Sequence, residues 1–293
     1  MSHLYRLKER NLVHPNDAVL KGTYVYEVIM GSRAYGCYRQ DSDYDMYGIV
    51  IPQLQYVFPH RAGIIPGFGH NPYQFEQFRQ EKILDNDKEY SFNVYSIVRM
   101  FDLLLGCNPN IIEVLFVPQE AITHITTIGH KIRNSRHLFL SKLYVEKMRS
   151  YSISQMKKAE NRKPTGKREE LVNKFGFDTK SAQNLIRLAY QTEQVLLEGD
   201  LTLNRHAKTL LAIRNGEWSL DKIKGIFDEK NEHIEGLILK SELRAKPDEN
   251  VIKNLLLECL EIQYGKLTNE ITVYNSSQED LKKIYEIAKK YKD

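Results

Sequence analysis

The chain has 293 residues, 42% apolar and 27% charged, with 42 Lys and Arg against 38 Asp and Glu for a formal net charge of +4. That length suits one large domain or about two ordinary ones. No apolar run approaches the roughly 20 residues that cross a bilayer, so membrane-spanning, collagen-like and disordered classes are excluded. The slight basicity permits a phosphate-rich partner without demanding one. Cys37, Cys107 and Cys259 lie far apart and are odd in number, which supports neither a disulfide framework nor a CxxC site. The opening MSHLYRLKER lacks the apolar stretch of a signal peptide, and the expectation is a cytoplasmic protein with reduced thiols.

In chain order, Thr23 to Met30 (TYVYEVIM) reads as a strand that stops at the Gly31-Ser32 turn. After a short helix-compatible piece, RAYGCYR, Asp41 to Ile51 (DSDYDMYGIVI) reads as a second strand closed by Pro52. Its alternation puts Asp43, Asp45, Tyr47, Ile49 and Ile51 on one face, so two carboxylates point the same way. Residues 52–80 carry Pro52, Pro59, Gly63, Pro66, Gly67, Gly69 and Pro72 and read as a long irregular insertion. Lys82 to Tyr90 is expected as a third strand with Asp85, Asp87 and Glu89 on one face. Ser91 is expected to cap a helix through Leu105, ended by Gly106. Asn108-Pro109 starts another over Ile111 to Phe116.

Beyond Pro118 the pattern turns to long helices: His137 to Glu160, Thr179 to Glu198, and further ones around Leu220 to Ser241, Asp248 to Glu270 and Gln278 to Tyr291. The last opens with Ser276 and Glu279 in capping-box spacing. The fold class expected is α+β, with a small mixed sheet in residues 1–125 and a helical domain in residues 126–293.

The chemistry-bearing motif is GSRAYG followed by DSDYD. Gly31 lets backbone N–H groups approach a phosphate closely and Ser32 adds a hydroxyl donor. Asp43 and Asp45 can clamp divalent cations, as an in-line phosphoryl or nucleotidyl displacement requires. A third carboxylate from the neighbouring strand would complete such a site, and Asp87 and Glu89 are both placed for it. A calcium loop also begins D-x-D-x-D, but its sixth position should be Gly and is Met46, and its twelfth should be Glu and is Pro52. The piece Thr165-Gly166-Lys167-Arg168 lacks the upstream Gly and the following Ser or Thr of a Walker loop. Arg33 suits either a phosphate or the cap of the following turn. His14, His60, His70, His124 and His206 have no metal-ligand spacing.

Gly-Ser, a spacer of about a dozen residues and Asp-x-Asp between neighbouring strands resemble the nucleotidyltransferase superfamily of DNA polymerase beta. GSRAYG, DSDYDMYG, YSF with a helix ending in GCNPNIIEVLF, GKREELVNKFGFDTKSAQNLIRL and LLAIRNGEWSL resemble more closely the YcgL/RlaP family of nucleotidyltransferases of the RNA-repair pathway. The matching blocks run from Gly31 to about Leu220.

The resemblance implies a polymerase-beta-like core, a helical domain closing over the nucleotide, and Mg²⁺- or Mn²⁺-dependent transfer from a nucleoside triphosphate such as ATP, with loss of pyrophosphate. It implies Asp43 and Asp45 as metal ligands, Glu89 in preference to Asp87 as the third carboxylate, Gly31 and Ser32 as the triphosphate cradle, and Lys167, Lys180 and Arg187 as phosphate-facing cations. Ser181 and Gln183-Asn184 stand where relatives often carry aromatic or histidine residues. Lys180, Asn184, Arg187 and Gln191 recur at helical steps on one face, with Lys180 and Arg187 about 10 Å apart along the axis. That span suits a triphosphate; an ordinary solvated face is the competing reading. The acceptor implied is an RNA end, with a protein or small molecule as alternatives. A nucleotide-binding regulatory module without turnover is the reading from a different class.

Overall fold

In the computed structural model, the described residues are 2–62, 74–161, 167–267 and, near the C-terminus, 284, 285, 287 and 289. Helices α1 (His3–Glu9) and α2 (Asp17–Leu20) precede β1 (Thr23–Met30), which runs directly into the one-turn helix α3 (Gly31–Ala34). β2 (Tyr44–Ile51) follows, then the short α4 (Leu54–Val57), β3 (Gln77–Asp85), β4 (Lys88–Ser96), α5 (Ile97–Leu105) and α6 (Pro109–Val114). β5 (Ile122–Ile125) and α7 (Thr127–Asn134) lead into α8 (Lys142–Asn161), α9 (Lys167–Phe175), α10 (Thr179–Glu198), α11 (Ala207–Arg214), α12 (Leu220–Lys240) and α13 (Glu249–Tyr264). Among the described residues no helix is long and apolar enough to cross a membrane.

The five strands form one mixed sheet in the order β3-β4-β2-β1-β5. β2 pairs with β4 in parallel, and the other neighbours are antiparallel. Alternation along β2 sends Met46 and Val50 to a cluster with Leu4 and Leu7 of α1, Phe92 and Val94. Ile49 and Ile51 face a larger cluster that runs through α5 and α6 to Tyr144, Leu188 and Cys259. Asp45 and Tyr47 share the face of Ile49 and Ile51, as the period of two requires. The mixed sheet and the helical remainder match the α+β expectation.

Five elements differ from the sequence reading. The second strand begins at Tyr44, which leaves Asp43 in the preceding loop. The third strand is a hairpin: β3 and β4 join through Asn86 and Asp87, with Asn86 in the left-handed region (φ 55°) that asparagine tolerates. Asp85, Asp87 and Glu89 therefore do not share a face. β4 also continues to Ser96, and the helix expected from Ser91 begins at Ile97 with Ser96 as its cap. The reason is tertiary: YSFNVYS alternates with period two and is hydrogen-bonded by β2 on one side and β3 on the other, which outweighs a local capping signal. In the second half, residues 136–139 form a separate 3₁₀ turn before α8, and the helix expected to Glu270 ends at Tyr264. Residues 63–73 of the insertion, Ser276 with Glu279, and most of the Gln278–Tyr291 segment lie outside the described residues.

Two carboxylates fasten the N-terminus to the sheet. Glu27, fully buried in β1, accepts hydrogen bonds from the Ser2 hydroxyl (2.8 Å), the His3 and Leu4 N–H groups (2.6 and 3.0 Å), the Tyr24 hydroxyl (3.2 Å) and the Thr123 hydroxyl (2.6 Å). The N–H donors belong to the first turn of α1, whose amides lack intrahelical partners. Asp85, at the end of β3, is bound by Arg6 at 2.7 Å and by Arg10.

Replacing Glu27 by Ala leaves several buried donors without an acceptor, so urea denaturation of Glu27→Ala should show a loss of about 3 kcal/mol or more; an unchanged midpoint refutes the clamp. The hydrogen bond from Arg6, against the opposing effect of burial, holds the Asp85 carboxyl below its usual range. A carboxyl depressed in the folded state stabilises above its unfolded value of about 3.9 and loses that contribution as pH falls through the folded value. Stability measured from about pH 5 downward should therefore fall less steeply for Asp85→Asn than for the parent.

Candidate active site

β1 and β2 are in register so that Met30 lies opposite Asp45. The next residue, Gly31, has φ +65°, and a Cβ there would overlap the Asp45 carboxylate oxygen Oδ2. A side chain is thus excluded twice, by backbone conformation and by space. The Gly-Ser turn lies against the acidic pair because antiparallel pairing places the end of one strand beside the start of the other.

Asp43 is set by Arg33. The guanidinium donates to the carbonyls of Ser42 (2.8 Å) and Asp43 (3.3 Å) and lies over the Tyr44 ring at 3.7 Å from its centroid. The Ser42 hydroxyl accepts from the Arg39 N–H at 2.8 Å, which tightens the same loop. Of the two roles open to Arg33, the structure displays the loop-holding one.

A cavity of about 440 Å³ opens over this turn. One side carries Gly31, Ser32, Asp41, Asp43 and Asp45; the helical side carries Lys180, Gln183, Asn184 and Arg187 from α10 and Arg214 from α11. Asp43 is exposed and Asp45 half-buried. Burial pushes the Asp45 carboxyl above its ordinary pKa; Lys180 opposes that shift, while Asp43, Glu81 and Glu89 add to it. Glu89 is thus within electrostatic reach of Asp45 from β4, on the side where Ser91 pairs with Asp45, though it does not line the cavity. Asp87 stands exposed in the hairpin turn. Glu81, on β3, is an acidic neighbour the sequence reading missed, because it falls between the insertion read over 52–80 and the strand read from Lys82.

The helical side differs from an ordinary solvated face. Lys180 is exposed at the start of α10, but Arg187 and Gln191 are buried, because α10 packs between α8, α11 and α12. Arg187 Nη1 donates to Glu113 of α6 at 2.5 Å and to Gln191 at 2.8 Å, and its guanidinium lies 4.1 Å from the Tyr35 ring centroid. The Tyr35 hydroxyl donates to the other Glu113 oxygen. Burial works against the Arg187 cation, yet Glu113 raises its pKa above the ordinary value. Gln183 donates to the Cys37 sulfur at 2.8 Å, a second link between the two sides. The Lys167 side chain lies outside the described residues. Sequence reasoning passed over Glu113, Arg39 and Arg214; the first looks like one polar residue in an apolar helix, IIEVLF, and that isolation was the available signal.

A model of the RlaP family, the RNA repair pathway DNA polymerase beta family, matches residues 3–256. The chain belongs to this family. The match takes in both sides of the cavity, from the Gly31 turn to α11. No curated protein matches the sequence. Among solved structures, a nucleotidyltransferase-like protein from Exiguobacterium sibiricum is similar at 11% identity over 80% of this chain and 77% of that one, with a TM-score of 0.29. Family membership makes this a polymerase-beta-like nucleotidyltransferase chain.

Breaking the buried pair from one side should cost about 3–5 kcal/mol in chemical denaturation of Glu113→Gln or Arg187→Met. The double variant should lose less than the sum of the two, and strict additivity would show that the pair is not coupled. Gly31→Ala should disturb the acidic pair directly, lowering both the melting temperature and any divalent-cation affinity measured by titration calorimetry.

Proposed function

We propose that the cavity transfers a nucleoside monophosphate from a nucleoside triphosphate to an acceptor hydroxyl, releasing pyrophosphate, with an RNA end as the acceptor. The observation that carries this reading is the Gly31 backbone held against the Asp45 carboxylate with Asp43 beside it, in a cavity whose facing side is cationic. A volume of about 440 Å³ falls in the range of ordinary small-molecule sites.

The acidic face fits a divalent cation. Asp45 is half-buried beside a carboxylate of the same sign, and burial and that neighbour raise its pKa; a hard cation bound by carboxylate oxygens removes that repulsion. Asp43 and Asp45 would hold Mg²⁺ or Mn²⁺, the remaining positions going to phosphate oxygens and water, with Glu89 as the nearest candidate from the neighbouring strand. When bound, the ions supply charge neutralisation at the phosphates and a lowered pKa for the attacking hydroxyl. The chain's own part is positioning: Gly31 and Ser32 present N–H and hydroxyl donors to the phosphates, Lys180 stands across from Asp45 to take negative charge, and Arg33 keeps Asp43 in place.

One observation favours a second reading, a nucleotide-binding module without turnover. Glu89, the third carboxylate of the transfer reading, stands on β4 outside the set of residues that line the cavity with Asp43 and Asp45.

Pyrophosphate release from each triphosphate, with Mg²⁺ or Mn²⁺ and with or without RNA, separates the two. Transfer is expected, and Asp43→Asn and Asp45→Asn should each reduce it on the order of 10³-fold. Transfer that survives either substitution contradicts the mechanism. Nucleotide binding with no release under any condition supports the module, and labelling of a protein or small molecule in place of RNA reassigns the acceptor.

A further inference from the structure

The cavity is lined by a second group of cations besides Lys180. Arg39, Arg187 and Arg214 all line it. Arg39 is anchored by Nη2, which donates to the Arg214 carbonyl (2.8 Å) and to Asn215 Oδ1 (2.9 Å). Both acceptors are neutral, so the anchor fixes the guanidinium without cancelling its charge. Arg187 has Nη1 engaged by Glu113 and Gln191, yet its Nε is buried without a hydrogen-bond partner among the described residues. A buried donor left unmade costs about 1–3 kcal/mol, which a bound acceptor recovers.

These guanidinium groups gather on one wall. Burial pushes the Cys37 thiol up, and Arg187 and Arg214 both act on it in the opposite direction; Arg39 is two residues along the chain and bonded to the Arg214 backbone. Lys180, by contrast, is the cation that acts most strongly on Asp45. The cavity therefore has a carboxylate end with Lys180 and a guanidinium wall around Cys37. Guanidinium groups on one wall of a cavity suit an anion with several acceptor oxygens. Planar forks match phosphate oxygens in pairs.

We propose that Arg39 and Arg214, together with Arg187 Nε, form a phosphate subsite in the cavity separate from the Asp43–Asp45 pair. The subsite rests on the nucleotidyl-transfer reading only for the source of the phosphate, which is either the tail of the nucleotide or the backbone of the acceptor RNA.

Calorimetric titration in EDTA, where Asp43 and Asp45 hold no metal, isolates the arginines. The probes are inorganic pyrophosphate and a short single-stranded RNA, against the full chain and its Arg39→Gln, Arg214→Gln and Arg214→Lys variants, each checked by thermal melting. The Gln variants should bind one of the probes about tenfold more weakly, the loss of one charge-assisted hydrogen bond. Arg214→Lys should recover part of the loss, since it keeps the charge without the fork. Weakened pyrophosphate binding assigns the subsite to the nucleotide's tail, and weakened RNA binding alone assigns it to the acceptor. Unchanged affinities in folded Gln variants, or no binding of either probe by the parent chain, overturn the proposal. Arginine-dependent binding in a protein that transfers no nucleotide would strike the transferase reading and leave the subsite standing.

Discussion

Glu113 and Arg187 lie 74 residues apart and meet inside the protein, where both side chains are buried. A lone charge in such a place is unaffordable, so α6 and α10 have to come together in one arrangement. That arrangement brings Lys180, Gln183 and Asn184 to face the Gly31 turn, and Tyr35 is drawn in through its hydrogen bond to Glu113. The cavity is a consequence of this pairing: its strand side and its helical side meet there and at the Gln183–Cys37 contact. Buried ion pairs add little net stability compared with a well-packed apolar pair, and what they add is uniqueness of fit. For a site that must hold several charged groups in a fixed relation, uniqueness is the more useful property.

The acidic side depends on a different constraint, the register between β1 and β2. A slip of one residue would turn Asp45 to the face of Met46 and Val50, against α1. The bulge near Tyr24 and Tyr26 and the apolar residues on both faces of β2 make such a slip costly. Asp45 is therefore positioned by the whole sheet, whereas Asp43 is positioned by a short loop that Arg33 and the Arg39–Ser42 hydrogen bond hold.

Thr23–Met30 and Thr179–Glu198 were legible to the residue because local pattern and tertiary environment agree there: an apolar β-branched run ending at Gly, and an apolar stripe capped by Asp178 and stopped by Gly199. The motif residues Gly31, Ser32, Asp43 and Asp45 are legible as a group because they sit at the end of one strand and the start of the next, and the structure lines one cavity with them. The hairpin of β3 and β4 was not legible, since β3 reads QFRQEKILD, too polar for a strand until one sees that it is the sheet edge. Nor could the burial of Arg187 and Gln191 be foreseen. A polar helical face looks solvated until a partner 74 residues upstream is known to cover it.

The Glu27 clamp bears on the order in which the chain can be completed during synthesis. Its donors include Ser2 and Leu4 at one extreme and Thr123 at the other, and β1 pairs with β5 as well as β2. A ribosome that has released the chain through Ile51 has delivered β1, β2 and the Gly-Ser turn, but not the edge strand or the last hydroxyl that Glu27 requires. The segment carrying the acidic pair is made early and locked late, so the nascent chain carries an unburied carboxylate in its first strand until it has emerged as far as Thr123, 96 residues beyond Glu27.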